Sequence, residues 1–276
     1  MTKTVLITGC STGFGKLAAK TFQAKGWNVV ATMRTPEKES ELVTSDTMLV
    51  TRLDVSDQSS IKSAIDEGLA KFGRLDVIVN NAGYGSNAMF EQSPEPSIRA
   101  MYETNVFGVM NVMREALPHL RANGSGCVIN VTSMAGLIGL PGNSVYSSSK
   151  FAVEGLTEGL SMEYRDLGIK FRTVAPGAFM TTAFMDNIES LVETGDAQVR
   201  AHSVKLREHF ANLAHGGGAQ DPQMVADKIY ECATEDVPVH NPVGADADGL
   251  YQLLNSVDDR EAFIEIIASR FLPPVE

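Results

Sequence analysis

Only three cysteines occur in 276 residues, and Cys10, Cys127 and Cys232 are too few and too scattered for a disulfide framework or a metal knuckle. The five histidines form no HExxH or other tight ligand spacing, so no metal is expected. Positive charge is short as well. Twenty-three Lys and Arg against 34 Asp and Glu leave a formal net charge of −11, which argues against general affinity for nucleic acid or an anionic membrane. One phosphorylated small molecule stays possible, because it needs only local donors. No stretch approaches the ~20 apolar residues of a membrane span, and the apolar run in MTKTVLITG is too short for a signal peptide. Internal repeats, linkers and low-complexity tracts are also missing. What remains is 43% apolar and 21% charged, a soluble globular balance, expected in a reducing cytoplasm.

The chain opens with the β-branched run TVLIT at residues 4–8, then the glycine turn TGCSTGFG, then a helical pattern from Lys16 to Lys25. Leu17, Ala18, Phe22 and Ala24 are its candidates for the sheet-facing side, and Gly26 ends it before a second strand at Val29–Thr32. Strand, glycine turn, helix and strand make a βαβ unit whose helix N-terminus is open to an anion. Alternation continues. Strands are expected at Met48–Leu53, Asp76–Asn80, Cys127–Thr132 and Lys170–Ala175. Between them lie helices capped by Ser56 or Asp57 and running to Phe72, from Ser97 to Ala122, and from Asn143 to Leu167. The pattern predicts an α/β fold, a doubly wound parallel sheet of Rossmann type. From Phe179 it loosens into helical propensity to residue 215, a break at HGGG, a helix after Asp221–Pro222, a proline-limited edge strand at Val237–Val243 and a final helical stretch. One domain over 1–276 is the economical reading, with a core at 1–180 and a substrate loop and C-terminal elements at 181–276.

Ligands of such sheets bind beyond the carboxyl ends of the strands. TGCSTGFG, NNAG, Ser133 and Pro176–Gly177 all fall at those ends. The stretch Ser133–Lys150 places Tyr146 and Lys150 four residues apart, on one face of a helix. Tyrosine is a weak acid whose ionised form a nearby ammonium favours, so the pair is suited to moving a proton on and off a hydroxyl.

The turn spacing G-x-x-x-G-x-G, with NAG at 81–83, Asn105, S-x12-Y-x3-K at Ser133, Tyr146 and Lys150, and PG-x3-T at Pro176, Gly177 and Thr181, resembles the short-chain dehydrogenase/reductase family over about residues 3–182. The "ATMR" strand end and long C-terminal third are closest in style to its hydroxysteroid- and retinol-dehydrogenase-like branch. The resemblance implies hydride transfer between a secondary alcohol and a ketone or aldehyde. Tyr146 would be the general acid or base, and Lys150 would lower its pKa and hold the nicotinamide ribose. Ser133 would hold the substrate oxygen, and Asn105 would support a water-linked proton path behind Lys150. It further implies cofactor contacts from Gly9, Ser11, Thr12, Gly13, Phe14, Gly15, Asn81, Ala82, Gly83, Tyr146, Lys150, Pro176, Gly177, Phe179 and Thr181, and a homodimer or homotetramer.

The second strand ends in Met33 and Arg34 where an NAD enzyme of this kind carries an acid. Arginine offers a 2′-phosphate a planar fork of donors, so NADP(H) is expected over NAD(H), the alternative being a solvated loop charge. Asp54 and Val55 either flank the adenine or, for Asp54, cap a helix. Ala135, Leu140 and Asn143 should border the substrate. Phe184 and Met185 begin an apolar stripe, with Ile188, Leu191 and Val192, that roofs a greasy pocket or belongs to ordinary core. Ala152, Gly155 and Gly159 permit close helix packing, against the sheet or a second subunit. Besides an NAD-dependent alcohol dehydrogenase of the same family, two competing readings are a nucleotide-sensing binding protein and a sugar-nucleotide epimerase or dehydratase. The first has no need for serine, tyrosine, lysine and asparagine together, and the second normally carries TGxxGxxG.

Overall fold

A computed structural model of the chain describes residues 2–180, 189–191, 194–216 and 219–274. The strands are β1 (Thr4–Ile7), β2 (Asn28–Met33), β3 (Met48–Arg52), β4 (Val77–Asn80), β5 (Ser86–Asn87), β6 (Gly126–Val131), β7 (Ile169–Pro176), β8 (Glu189–Ser190) and β9 (His240–Val243). Seven of them form one parallel sheet in the order β3-β2-β1-β4-β6-β7-β9, while β5 and β8 pair with each other. The order reverses direction beside β1, between the turn after β1 and the end of β4, which opens a crevice above the sheet. The helices are α1 (Gly13–Ala24), α2 (Gln58–Phe72), α3 (Glu95–Tyr102), α4 (Gly108–Ala122), α5 (Ser144–Glu163), α6 (Ala197–Gly216), α7 (Gln223–Thr234), α8 (Ala245–Ser256) and α9 (Arg260–Phe271).

Successive strand residues face opposite sides, so each strand feeds two cores. Val5, Ile7, Val77 and Val79 join Phe22 of α1 and Ile229 of α7 on one face. Leu6 and Ile78 join Ile61 of α2, Leu120 of α4 and Val153 of α5 on the other. Burial on both sides explains why these strands read as unbroken apolar runs. Phe22 is fully buried and meets Trp27 and Tyr230 edge-on, both at 5.1 Å between centroids. Such burial contributes roughly 1.5–3 kcal/mol for a side chain of this size. A polar rung crosses the second core, where Asn80 donates to Asn130 (2.8 Å) and Asn130 to Thr157 (2.9 Å).

Several boundaries differ from the sequence expectation. Helix α1 begins at Gly13, because the glycine turn itself supplies its first residues. Its buried positions are Gly15, Ala18, Ala19 and Phe22, whereas Ala24 is exposed and Leu17 only partly buried. Asp57 caps α2, accepting from the Ser59 and Ser60 amides at 3.0 and 3.2 Å. The helix expected over 97–122 carries a π-turn at Glu103–Phe107 between α3 and α4, with Asn105 inside it. Helix α5 ends at Glu163, and a 3-10 turn at Arg165–Leu167 leads to Gly168 in the left-handed region. Strand β9 is an edge strand, which tolerates Pro242. Among the described residues no helix is long and apolar enough to cross a membrane.

Candidate active site

The carboxyl ends of the strands enclose a cleft of about 890 Å³. Its floor is the turn between β1 and α1, where Gly9, Ser11, Thr12, Gly13 and Phe14 line the cavity. Gly9 has φ +73°, and a Cβ there would press on Ala82 at 3.0 Å. Gly15 lines nothing. It is buried under the turn, and a side chain there would collide with the Gly9 carbonyl and the Asn81 amide. Asn81 is committed to the same turn, donating Nδ2 to the Thr8 and Gly9 carbonyls at 2.9 and 3.1 Å. Thr8 Oγ1 in turn accepts from the amides of Asn81 and Ala82, both at 3.0 Å. The start of α1 has no side-chain cap and no acid in its first turn. Its first amides therefore point into the cleft without intrahelical acceptors, a donor set that suits a pyrophosphate.

Beyond the turn, Met33, Arg34, Leu53, Asp54 and Val55 line one end of the cleft. Arg34 is exposed there. Asp54 accepts from the Ser56 amide and hydroxyl at 3.0 and 2.7 Å rather than capping α2, a task taken by Asp57. Burial alone raises the Asp54 carboxyl, but the Ser56 hydrogen bonds and the charges of Arg34 and Arg52 outweigh it and hold it below its usual range. Gly83, Pro176, Gly177 and Phe179 continue the lining. Phe179 is buried and meets Phe14 edge-on at 5.4 Å. These residues fit an extended dinucleotide, with donors at the turn for its pyrophosphate.

At the centre, Ser133 follows β6 and Tyr146 and Lys150 rise from α5. Tyr146 is hydrogen-bonded to the Ser133 side chain. Ser133 Oγ also accepts from the Ala135 amide at 3.1 Å, which fixes its rotamer. Lys150 is buried, donates to the Val131 carbonyl at 3.0 Å and lies 5.8 Å from the Tyr146 ring centroid. The balance at Tyr146 differs from the sequence expectation. Burial pushes the phenol up to about 12, and the Ser133 hydrogen bond only partly offsets this. Burial likewise pulls Lys150 down to about 8, while the charge of Glu154 works to raise it. Desolvation disfavours the charged form of each group, and it is the largest cause of both shifts.

Asn105 is buried behind the cleft rather than lining it. Its Nδ2 donates to the Tyr84 carbonyl at 2.9 Å and to Ser149 Oγ at 3.2 Å, and its Oδ1 accepts from the Tyr84 amide at 3.1 Å. It thus ties the loop after β4 to α5. A Cβ on Gly83 would stand 3.1 Å from Asn105 Oδ1 and 3.5 Å from Lys150 Nζ, so the lysine and asparagine flank that glycine.

Ala135, Leu140 and Asn143 line the same cleft. Thr181, Phe184, Met185 and Ile188 lie outside the described residues, as does Val192. Sequence reasoning missed Tyr84 and Met89 after β4 and Leu206, Arg207 and Phe210 on α6. Tyr84 directly follows NAG and was legible from that motif. The α6 residues carry no signal, since only tertiary packing brings their helix over the cleft. The three cysteines are buried thiols, each pushed up to about 12 by burial, so they are inert toward the cleft.

A parallel sheet with an anion-ready glycine turn and a serine, tyrosine and lysine at the strand ends defines a dinucleotide-dependent oxidoreductase. The chain belongs to the short-chain dehydrogenase family, whose model, described as "short chain dehydrogenase", matches residues 3–191. It is 39% identical over 240 residues to a 3-ketodihydrosphingosine reductase of Bacteroides thetaiotaomicron, covering 87% of each protein. A short-chain dehydrogenase from Streptomyces avermitilis superposes with a TM-score of 0.83 at 34% identity, over 98% of both chains. ElxO with NADP bound superposes with a TM-score of 0.72 at 29% identity, covering 90% of this chain and 100% of its own. Another solved neighbour holds NADH.

Proposed function

We propose that the protein is an NADP(H)-dependent carbonyl reductase acting on an apolar ketone, or on the matching secondary alcohol in reverse. The observation that carries this is the juxtaposition of Ser133, Tyr146 and Lys150 at the centre of the cleft. Bound there, the nicotinamide dinucleotide supplies or accepts the hydride. Everything else falls to the chain's own residues. A phenol pushed up to about 12 by burial keeps its proton at pH 7, so Tyr146 meets a carbonyl oxygen as a proton donor. Ser133, oriented by the Ala135 amide, offers a second donor to that oxygen as charge develops on it. Lys150, largely an ammonium at pH 7, stabilises the phenolate left behind and offers N–H donors to the ribose hydroxyls. Asn105 keeps the loop after β4 and α5 in register.

Arg34 supports the choice of NADP(H), since β2 ends in Met33 where an acid would repel a 2′-phosphate, and the cation that follows it suits one. Met89, Met134, Leu140, Leu206 and Phe210 make the substrate side apolar, which favours a bulky, weakly polar carbonyl compound. The similarity to a 3-ketodihydrosphingosine reductase points the same way. In this reading residues 1–180 hold cofactor and chemistry, and residues 181–276 shape the substrate side. Buried, unpaired cysteines suit a reducing cytoplasm. A homodimer or homotetramer would use α5, where Gly155 and Gly159 leave open space and Phe151 is 38% exposed.

The test is a panel of ketones, aldehydes and alcohols assayed with NADPH and NADH by nicotinamide absorbance. Turnover with NADPH and apolar ketones is expected, and Tyr146→Phe should lower kcat by roughly 10²–10⁴-fold, the usual contribution of a general acid. Wild-type rates in that variant would remove Tyr146 from proton transfer.

A further inference from the structure

Outside the cleft, behind Lys150, lies a charged cluster that no motif announced. Glu154 stands one helical turn from Lys150 on α5, yet its side chain is only 6% exposed. Thr132 donates its hydroxyl to one Glu154 oxygen. His240 of β9 brings Nδ1 to 2.7 Å from the other. The imidazole's Nε2 lies 2.8 Å from Glu158, a residue on the outer turn of α5 whose side chain is 58% exposed. Thr132 follows Val131, whose carbonyl receives the Lys150 ammonium. Two consecutive residues at the end of β6 therefore hold two side chains one turn apart on α5, one of each charge.

A buried carboxylate is costly unless its oxygens are satisfied and a cation is near. Here Thr132 and His240 satisfy the oxygens, and Lys150 is the cation on the cleft side. The groups around Lys150 are Tyr146 and Glu154 from its own helix, the Val131 carbonyl from β6 and neutral Asn105 from the π-turn. Around Glu154 they are Lys150 and Glu158 from α5, Thr132 just after β6 and His240 from β9, with Thr173 of β7 at 3.4 Å from the imidazole.

We propose that Glu154 is a positioning residue for the reaction: its carboxylate, clamped between Thr132 and His240, is the counter-charge that keeps Lys150 an ammonium inside the buried site. The direction of the electrostatics agrees, since burial lowers Lys150 to about 8 and Glu154 opposes that drop. The consequence for catalysis rests on the role given to Lys150 above, but the charge relation itself does not.

The experiment is an NMR titration of the lysine 13Cε resonances in the cofactor-free full chain, with Lys150→Met used to assign the signal. Glu154→Gln retains an acceptor for Thr132, and Glu154→Met fills similar volume without a charge, so one serves if the other does not fold. Either is expected to lower the Lys150 midpoint by about one pH unit, the lower end of the effect a nearby opposite charge exerts. His240→Gln, which leaves the carboxylate in place, should not lower it. In turnover, the basic limb of the kcat/KM profile should move down with the NMR midpoint. A Lys150 midpoint unchanged in the folded Glu154 variant overturns the proposal, as does an equal drop in His240→Gln, which would mark a packing effect. If the midpoint moves and no carbonyl is reduced by any variant or by wild type, the reductase reading fails and the charge relation stands.

Discussion

In the proposed reading, cofactor choice turns on Arg34. It lines the cleft beside Asp54, and its charge is felt by that carboxyl. Asp54 is already occupied by Ser56, so the guanidinium keeps donors for an incoming anion. Hydrogen bonds to charged groups are worth roughly 1.5–3 kcal/mol, so Arg34→Ala should weaken NADPH binding by roughly tenfold or more and leave NADH nearly unchanged. Fluorescence titration of both dinucleotides measures this, and equal losses for the two would assign Arg34 to the loop's own stability. Asp54 shows how a residue's neighbours decide between two sequence readings. Two carboxylates, Asp54 and Asp57, sit three residues apart, and the structure gives the helix cap to the second.

At the scale of elements, the join between β1, α1 and β4 is the most tightly specified part of the fold. Thr8, Gly9, Asn81 and Ala82 interlock through four hydrogen bonds, and Gly15 packs closely against the Gly9 carbonyl. A single methyl at Gly15 has nowhere to go but into the Gly9 carbonyl. Gly15→Ala is expected to cost about 1–3 kcal/mol, the range for overpacking, and to weaken dinucleotide binding because the turn must open to accommodate it. Chemical denaturation together with a cofactor titration tests both halves; a variant with wild-type stability would show that the turn relaxes freely. The π-turn is a second such join. It lets Asn105 reach the Tyr84 backbone and Ser149 at once, which links the loop after β4 to the helix carrying Tyr146 and Lys150.

For the whole molecule, His240 links the edge of the sheet to α5 and makes stability depend on pH. Its folded pKa is raised, chiefly by the hydrogen bond with Glu154, with burial opposing and Glu158 adding to the rise. A raised pKa means the folded state binds the proton more tightly. The stabilisation is then fully present below the unfolded value of about 6.5 and is lost as pH rises through the folded value. Thermal melts should therefore show Tm falling as pH rises above about 6.5, with a shallower slope in His240→Gln; parallel slopes would remove His240 from the linkage. The exposed face of α5, with Phe151 and two glycines, also makes assembly testable. Light scattering at micromolar concentration should give a dimer or tetramer, and a monomer would leave α5 as a solvent-facing helix.

Local chemistry and periodicity were enough to read the βαβ order, the glycine turn, the Tyr146–Lys150 pairing and the absence of an acid after β2. These features depend on neighbours within a few residues or on motif spacing along the chain, so they are visible in one dimension. Tertiary structure decided the rest. Burial, not the neighbouring ammonium, sets the direction of the Tyr146 shift, and burial depends on the cleft that encloses it. Asn105 turned out to brace a loop because α3 and α4 meet in a π-turn. Leu206 and Phe210 reached the cleft because α6 folds back over it. Glu154 met His240 across 86 residues of chain because β9 completes the sheet beside β7. No periodicity records such meetings, since they exist only once distant segments pack together.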